Sequence, residues 1–451
     1  MNQKSNRTKT CAALLLAALL CLPGCAITDE NRSGSPDRAD MQQKPAAQPV
    51  IRTDEPSPTY DAEIINEEVA PMDAEKRIWN VRDFGATGDG QTDDYYCIQT
   101  AVNTVLRAGG GTVYFPDGNY RMSETLRITM AGEAPLTLLA DVASAASLVT
   151  TTDIKGPAVY VNHPYVTISH LSIKDNCNKD SIGLVLASDH ALIDQVSVHM
   201  VHGNKMPGIQ VYGSYNTLKH SGVGYSNSTP HMIEFTKKPG TVAYGNVLED
   251  CHFGGEHGKC VLVTSEDPDG APEYLTIRRN VFLVVACDQV EVQAAKGLYI
   301  VDNMLDAAGV CVLMDPLPVG IDGIQITDNY CGASTGGDRT GGIRTETNHG
   351  GFIRRAVISA NYIWGFDGIS IVSDRFKEFT LTDNYLVTTT GTGMYFADAS
   401  GSFIEGNIYV SVGGKLGLRI DKVDEKTVIQ NNSFGKSVTV PAWEDRFAAM
   451  N

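Results

Sequence analysis

The chain has 451 residues, with 53 acidic and 36 basic side chains and a formal net charge of -17. Such an acidic balance argues against nucleic acid as a partner. It leaves an anionic glycan open, because a local basic groove can sit on an acidic protein.

The N-terminus carries Lys4, Arg7 and Lys9, then an apolar stretch at residues 12–22, shorter than the roughly 18 residues a membrane span needs. It ends in Leu22-Pro23-Gly24-Cys25. That ending resembles the lipobox of bacterial lipoproteins, in which the cysteine is lipidated and becomes the first mature residue. Residues 1–24 are therefore expected to be a signal peptide, with Cys25 joining the protein to a membrane of the cell envelope, the outer membrane in the first instance. An ordinary secretory signal with Cys25 incidental is the alternative. Residues 25–76 are rich in Asp, Glu, Pro, Gln and Ala with little aromatic content, which predicts a solvated tether.

Residues 77–451 form the globular part. It opens with residues 80–94 (NVRDFGATGDGQTDD) and 109–120 (GGGTVYFPDGNY). Between them Ile98, Ala101, Val102, Val105 and Leu106 recur at helical spacing, with Asp93 or Asp94 placed as N-cap. These two motifs closely resemble the N-terminal cap and first coil of the pectate-lyase-like β-helix superfamily, which includes polygalacturonases, rhamnogalacturonases, alginate-modifying epimerases and phage tailspikes. The resemblance implies an all-β, right-handed parallel β-helix over 77–451, with 77–120 as cap and first coil and the helix plugging the open end. It is specific for fold and weak for reaction. Asp83, Asp89, Asp93 and Asp94 read as turn and capping residues in a Gly-rich context. The catalytic motifs of the polygalacturonases and the Asp-Pro-His of the alginate epimerases are missing at the expected strand ends; Asp315-Pro316 is followed by Leu317.

A hexapeptide, apolar-x-x-Asn-x-apolar, then returns through the chain. Copies lie at residues 277–282 (IRRNVF), 300–305 (IVDNML), 326–331 (ITDNYC), 358–363 (ISANYI), 381–386 (LTDNYL), 404–409 (IEGNIY) and 429–434 (IQNNSF). Upstream the Asn is replaced but the frame holds, as at 193–198 (IDQVSV) and 248–253 (LEDCHF). A second short strand in each repeat often begins with Gly. The short runs alternate apolar and polar residues, so they are strands. Stacked units of this kind bury a continuous core that one unit alone cannot. The recurring Asn reads as structural, capping each coil through a left-handed bend and backbone hydrogen bonds.

Aligning the second strands by hand gives an outward row: Val185, Gln210, Glu234, Leu262, Glu291, Leu313, Arg344, Ser370, Tyr395 and Arg419. Two residues further along, Ala187, Tyr212, Thr236, Thr264, Gln293, Asp315, Glu346, Val372, Ala397 and Asp421 face the same way. Rungs about 4.8 Å apart place Glu234 and Glu291 roughly 10 Å apart, near the upper end of the separation of about 6.5–9.5 Å used by inverting glycosidases. The expected catalytic groups are thus Glu234 with Glu291 or Asp315. Arg344 and Lys296 are expected to bind uronate carboxylates, Tyr212 and Tyr395 to stack on sugar rings, and Glu346 and His257 to line the groove. Long loops at 265–272 and 334–341 wall the same region. His231, His257 and His349 lie near these coils, and a His with an Arg or Lys suits proton abstraction beside a uronate carboxylate. For any one of these residues the plain alternative is an exposed, mixed-charge strand face.

The expected function is cleavage of a polysaccharide, a uronate-containing one in the first instance, by paired-carboxylate hydrolysis. A polysaccharide lyase, a C5 epimerase and a non-catalytic glycan-binding or adhesive β-helix remain open. No cofactor is required by the sequence, although Asp267 and Asp269 share a loop with donors suited to Ca²⁺. The seven cysteines beyond Cys25 include no zinc spacing and read as small apolar core residues.

Overall fold

The computed structural model describes residues 77–439, except 177–180, 202–204, 226–230, 256–258, 285–287, 308, 333–341, 366, 389–390, 412–415 and 435–437. The signal peptide, the tether, Cys25, His257 and the loop at 334–341 lie outside the described residues.

Among the described residues, every strand pairs in parallel with its counterpart one coil away, which makes a parallel β-helix. A first sheet of fourteen strands runs from Ile78–Asn80 to Val428–Gln430. The second is in two pieces of six and seven strands, from Asp89–Asp93 to Gly222–Tyr225 and from His252–Gly255 to Ile408–Ser411. The third has thirteen strands, from Leu126–Ile128 to Val438–Thr439. A fourth sheet of four two-residue strands (Ala295–Lys296, Ile321–Asp322, Ile353–Arg354 and Phe376–Lys377) lies between the third and first in chain order.

The hexapeptide explains the stacking. Its first apolar residue (Ile277, Ile300, Ile326, Ile358, Leu381, Ile404) is fully buried on successive rungs, each burial favouring the fold by about 1.5–3 kcal/mol relative to exposure. The asparagines form a continuous ladder. The backbone N–H of Asn303 donates to Asn329 Oδ1 (3.0 Å), and Asn303 Nδ2 donates to the Ile277 and Val301 carbonyls (2.9 and 3.0 Å). The same pattern links Asn280, Asn303, Asn329, Asn361, Asn384, Asn407 and Asn432. The expected left-handed bend is present one position earlier than the asparagine, at Arg279, Asp302, Asp328, Ala360, Asp383 and Gly406, with φ from +55° to +68°. The asparagine is needed for hydrogen bonding, and its neighbour turns the chain.

The Gly that opens the second strand also has a steric cause. A Cβ on Gly368 would lie 2.1 Å from the Gly393 carbonyl, and one on Gly393 would lie 2.6 Å from that of Gly417. A side chain there would part the rungs.

One α-helix is described, Tyr95–Arg107. Its Ile98, Ala101, Val102, Val105 and Leu106 are buried against the coil that includes strands Gly111–Phe115 and Leu126–Ile128. Asp94 stands at its N-cap, but its carboxylate accepts from the Thr87 and Gly88 amides (2.7 and 3.0 Å), while Asp93 accepts from Tyr95 N–H (3.2 Å). Asp89 caps its own turn through Gln91 and Thr92. Cys251, Cys260, Cys311 and Cys331 are buried and Cys97 is half-buried.

Candidate functional site

The pairing register on the third sheet places Val185, Gln210, Glu234, Leu262, Glu291, Leu313, Arg344, Ser370, Tyr395 and Arg419 on ten successive rungs. Tyr160 and Arg127 continue this row towards the N-terminus. The outward alternation brings Glu234 and Glu291 to one face, two rungs and about 10 Å apart along the axis, with Leu262 between them.

Both carboxylates are nearly buried, at 9% and 3% exposure. Glu234 accepts a hydrogen bond from Gln210 Nε2 (2.8 Å) and lies 3.7 Å from His231 Nε2. Burial raises its pKa above the ordinary 4.5, and the hydrogen bond from Gln210 opposes the rise. Glu291 is ion-paired with Lys259 Nζ and accepts from Gln293 Nε2 (2.7 Å). His231 and Lys259 are themselves register partners at the start of adjacent strands. In both pairs the base is the outer member. The difference is large for Lys259, whose side chain is 36% exposed against 5% for Glu291.

Asp315 is brought to a neighbouring cluster. Its carboxylate accepts from Asn348 N–H and Nδ2 (both 2.9 Å) and faces His349 Nε2 at 3.4 Å. Glu346 accepts from the same Asn348 amide group (2.8 Å). Arg344 is half-buried, and its Nε is buried without a hydrogen-bond partner among the described residues. Tyr212 lies beneath Lys238, whose Nζ is 4.5 Å from the ring centre, and its hydroxyl is 3.5 Å from that of Tyr160. Burial and Tyr160 raise its pKa. Tyr395 donates to Asp421 (2.9 Å) and is covered by Arg419 at 4.9 Å.

Lys296 is not brought to this row. It sits in the fourth sheet, where it pairs with Glu273 at 3.0 Å and is exposed. The chain bends after Val292, so the period-two count that places Glu291 correctly does not extend to Lys296. The acidic loop is also accounted for internally: Asp267 is ion-paired with Lys237 (2.8 Å) and accepts from Asp269 N–H (3.0 Å). With a lysine ammonium on one carboxylate oxygen, this loop does not fit a Ca²⁺ site. Among the described residues no group of three or more His, Cys, Asp or Glu side chains is placed to hold a metal.

Lys259 and Asn348 are site residues that the outward row leaves out; Gln293 lies on it, and its contact with Glu291 gives it a role. A signal for Lys259 exists in the sequence. Pairing Glu234 with Leu262 also sets His231 opposite Lys259, three residues before each.

Glu234 gives a stability prediction. Its raised pKa favours folding at low pH, and that contribution is lost as pH rises from the ordinary 4.5 through the folded value. Glu234→Gln removes the cost of the buried charge. It is therefore expected to be more stable than the parent at neutral pH and to show no gain near pH 4. Denaturant unfolding at both pH values checks this; an equal difference at both would refute it.

A long parallel solenoid with acid–base pairs on its outward row defines a pectate-lyase-like β-helix protein. The chain belongs to the rhamnogalacturonase A/epimerase, pectate lyase-like family, whose profile matches residues 78–310. Alginate lyase 7 of Azotobacter vinelandii is 60% identical over 45 residues, 10% of this chain and 5% of that protein. Mannuronan C5-epimerase AlgE1 of the same bacterium is 53% identical over 51 residues, 11% of this chain and 4% of that protein. Plasmin and fibronectin-binding protein A of Streptococcus pneumoniae is 37% identical over 67 residues, 15% and 9% of the two chains. These matches span less than a tenth of each relative's own length. The crystal structure of the Dettilon tailspike protein is similar in fold, with a TM-score of 0.52 and 13% identity over 81% of this chain and 68% of the tailspike.

Proposed function

We propose that this protein acts on a uronate-containing polysaccharide by removing the proton next to the uronate carboxylate, with β-elimination or C5 epimerisation as the outcome. One observation carries the reading: Lys259 presents its ammonium to the groove while Glu291 holds it from behind. A buried carboxylate that is already paired and hydrogen-bonded is a poor base for water, whereas the cation in front of it suits an anionic substrate. In this scheme His231 takes the C5 proton. The electrons of the C5–H bond pass into the carboxylate, and Lys259 offsets the charge that develops there. In elimination the C4–O bond then breaks, a C4–C5 double bond forms and the leaving oxygen gains a proton. In epimerisation a proton returns to C5 from the opposite face. The family and the short matches to an alginate lyase and a C5-epimerase support uronate chemistry.

Hydrolysis is the second reading. It is favoured by Glu234, whose burial keeps its proton to higher pH as a general acid requires, and by its two-rung distance from Glu291. The Streptococcus pneumoniae relative supports a third, non-catalytic binding role.

Incubation of the full chain with pectin, alginate, rhamnogalacturonan and a neutral glycan in deuterated buffer separates these readings. Unsaturated uronate absorbance with new reducing ends means elimination. Deuterium at C5 with unchanged chain length means epimerisation. Reducing ends without absorbance or deuterium would overturn the proposal in favour of hydrolysis, and binding without any product would favour adhesion.

We also propose that Cys25 carries a lipid and holds the protein in the cell envelope, as its position after the short apolar segment suggests. Cys25→Ala should move the protein from the membrane fraction to the soluble fraction; an unchanged distribution would refute the anchor.

A further inference from the structure

We infer that two copies of this chain pair face to face through the second sheet, with their coils antiparallel. The pairing does not depend on the reaction, and it leaves the third sheet open in both copies. The two pieces of the second sheet differ in what they turn outward. In the six-stranded piece a column that alternates with the core is Asn119, Ser147, Ser172 and Ser197. In the seven-stranded piece the corresponding residues are large and apolar. One column, on six successive rungs, is Val281, Met304, Tyr330, Tyr362, Tyr385 and Ile408. Its three tyrosine rings stack at 5.5 Å. The column beside it is Leu283, Asp306, Gly332, Trp364, Val387 and Val410. Tyr330, Tyr362, Tyr385, Ile408 and Val410 are 37–44% exposed. A contiguous apolar face rich in Tyr, Trp and Met marks a contact with another molecule.

Charge, shape and polarity make that molecule a second copy. The net charge of -17 keeps two copies apart except where the surface is poor in charge, and Asp306 is the one carboxylate in these two columns. A two-fold axis along the strands, between the rungs of Tyr330 and Tyr362, sets the first rung of one copy against the sixth of the other, the second against the fifth and the third against the fourth. Gly332 leaves the second column without a side chain on the third rung, and a Cβ there would lie 2.7 Å from the Tyr330 ring. Across the axis this gap meets Trp364, the bulkiest member of the column. Asp306, whose pKa is raised by burial, meets Val387 beside Tyr385, whose hydroxyl supplies the donor that a covered carboxyl needs. With the axis along the coil instead, Trp364 would face Tyr362 and Asp306 would face Met304, and neither fit is made. Two columns over six rungs cover roughly 30 Å by 14 Å, about 400 Å² on each copy. That is about half of one partner's share in a standard complex, so the dimer is a reversible one.

Cysteine cross-linking of the full chain tests the pairing. In the antiparallel dimer the two copies of position 362 lie one rung apart along the axis and one sheet spacing across, about 11 Å in all, whereas the two copies of position 410 lie five rungs apart, about 24 Å along the axis. With a bismaleimide of about 11 Å span, Tyr362→Cys is expected to give a covalent dimer, and Val410→Cys no more than the parent chain with its own cysteines. Adding Trp364→Glu to Tyr362→Cys should lower the cross-linked fraction about tenfold or more. Adding Val387→Lys instead sets a cation opposite Asp306 of the other copy and should raise it, and Asp306→Asn should cancel that rise. This second pair reads the contact by a gain, which a misfolded variant does not give. No dimer from Tyr362→Cys beyond the parent level, or one that neither Trp364→Glu nor Val387→Lys changes, would overturn the pairing. Equal yields from Tyr362→Cys and Val410→Cys would overturn its antiparallel register.

Discussion

Asn329→Ala is expected to destabilise the β-helix by about 4 kcal/mol, since each buried polar group left without a partner costs about 1–3 kcal/mol. The substitution removes the acceptor for Asn303 N–H and Asn303 Nδ2 (both 3.0 Å). It also removes the donor to the Ile300 and Thr327 carbonyls (both 2.9 Å). Asn329 is 2% exposed, so water cannot take over these bonds without opening the corner. Asn329→Asp should be no better: it keeps an acceptor but turns a carboxylate oxygen towards two carbonyls. At Asp328, where φ is +57°, substitution by Gly should be neutral or slightly stabilising, because Gly occupies this conformation freely. Asn432, half-buried at the end of the ladder, should tolerate alanine better than Asn329. Denaturant midpoints of these four variants give the comparison. A loss below about 1 kcal/mol for Asn329→Ala would mean that the ladder is not what holds the corner.

The second large effect concerns activity. Lys259→Met is expected to lower turnover about 10²–10³-fold, the usual cost of removing a group that stabilises developing charge. It should also lower stability, because Glu291 is left charged and 5% exposed at its side chain without its main partner. Adding Glu291→Gln separates the two consequences. The double variant should recover most of the stability and none of the turnover. Lys259→Arg, which keeps the charge but changes its geometry, should retain more activity than the Met variant. If the double variant regained turnover along with stability, Lys259 would be a structural partner of Glu291 and not a catalytic group.

The sequence made much of this architecture readable, for physical reasons that also mark where reading stops. Period-two alternation within each short strand fixes which residues face outward, so Glu234, Glu291, Arg344 and Tyr395 were placed on the correct rungs of one row. The helix at Tyr95–Arg107 was legible from its apolar spacing. Lys296 was not, because the bend after Val292 begins a separate short sheet, and no local pattern announces a change of sheet. Lys259 was missed because it stands at a strand end, where only its contact with Glu291 gives it a role, while Gln293, on the outward row, gains its role only through its hydrogen bond to Glu291. The left-handed position was misassigned by one residue, since Asn favours both tight turns and backbone hydrogen bonds, and here the two tasks fall on neighbours.

The asparagine ladder and the glycine column have a consequence for how such a molecule can change length. Each asparagine hands its hydrogen bond to an equivalent residue on the next rung, and Gly368 and Gly393 each abut the carbonyl of the Gly that follows. Loss or duplication of one whole coil joins like to like and leaves both devices intact, whereas a few residues added within a strand set them out of step. Growth is therefore quantised. A lineage built on this plan can lengthen or shorten its hold on a polymer by whole turns, leaving the acid–base groups on their own rungs untouched.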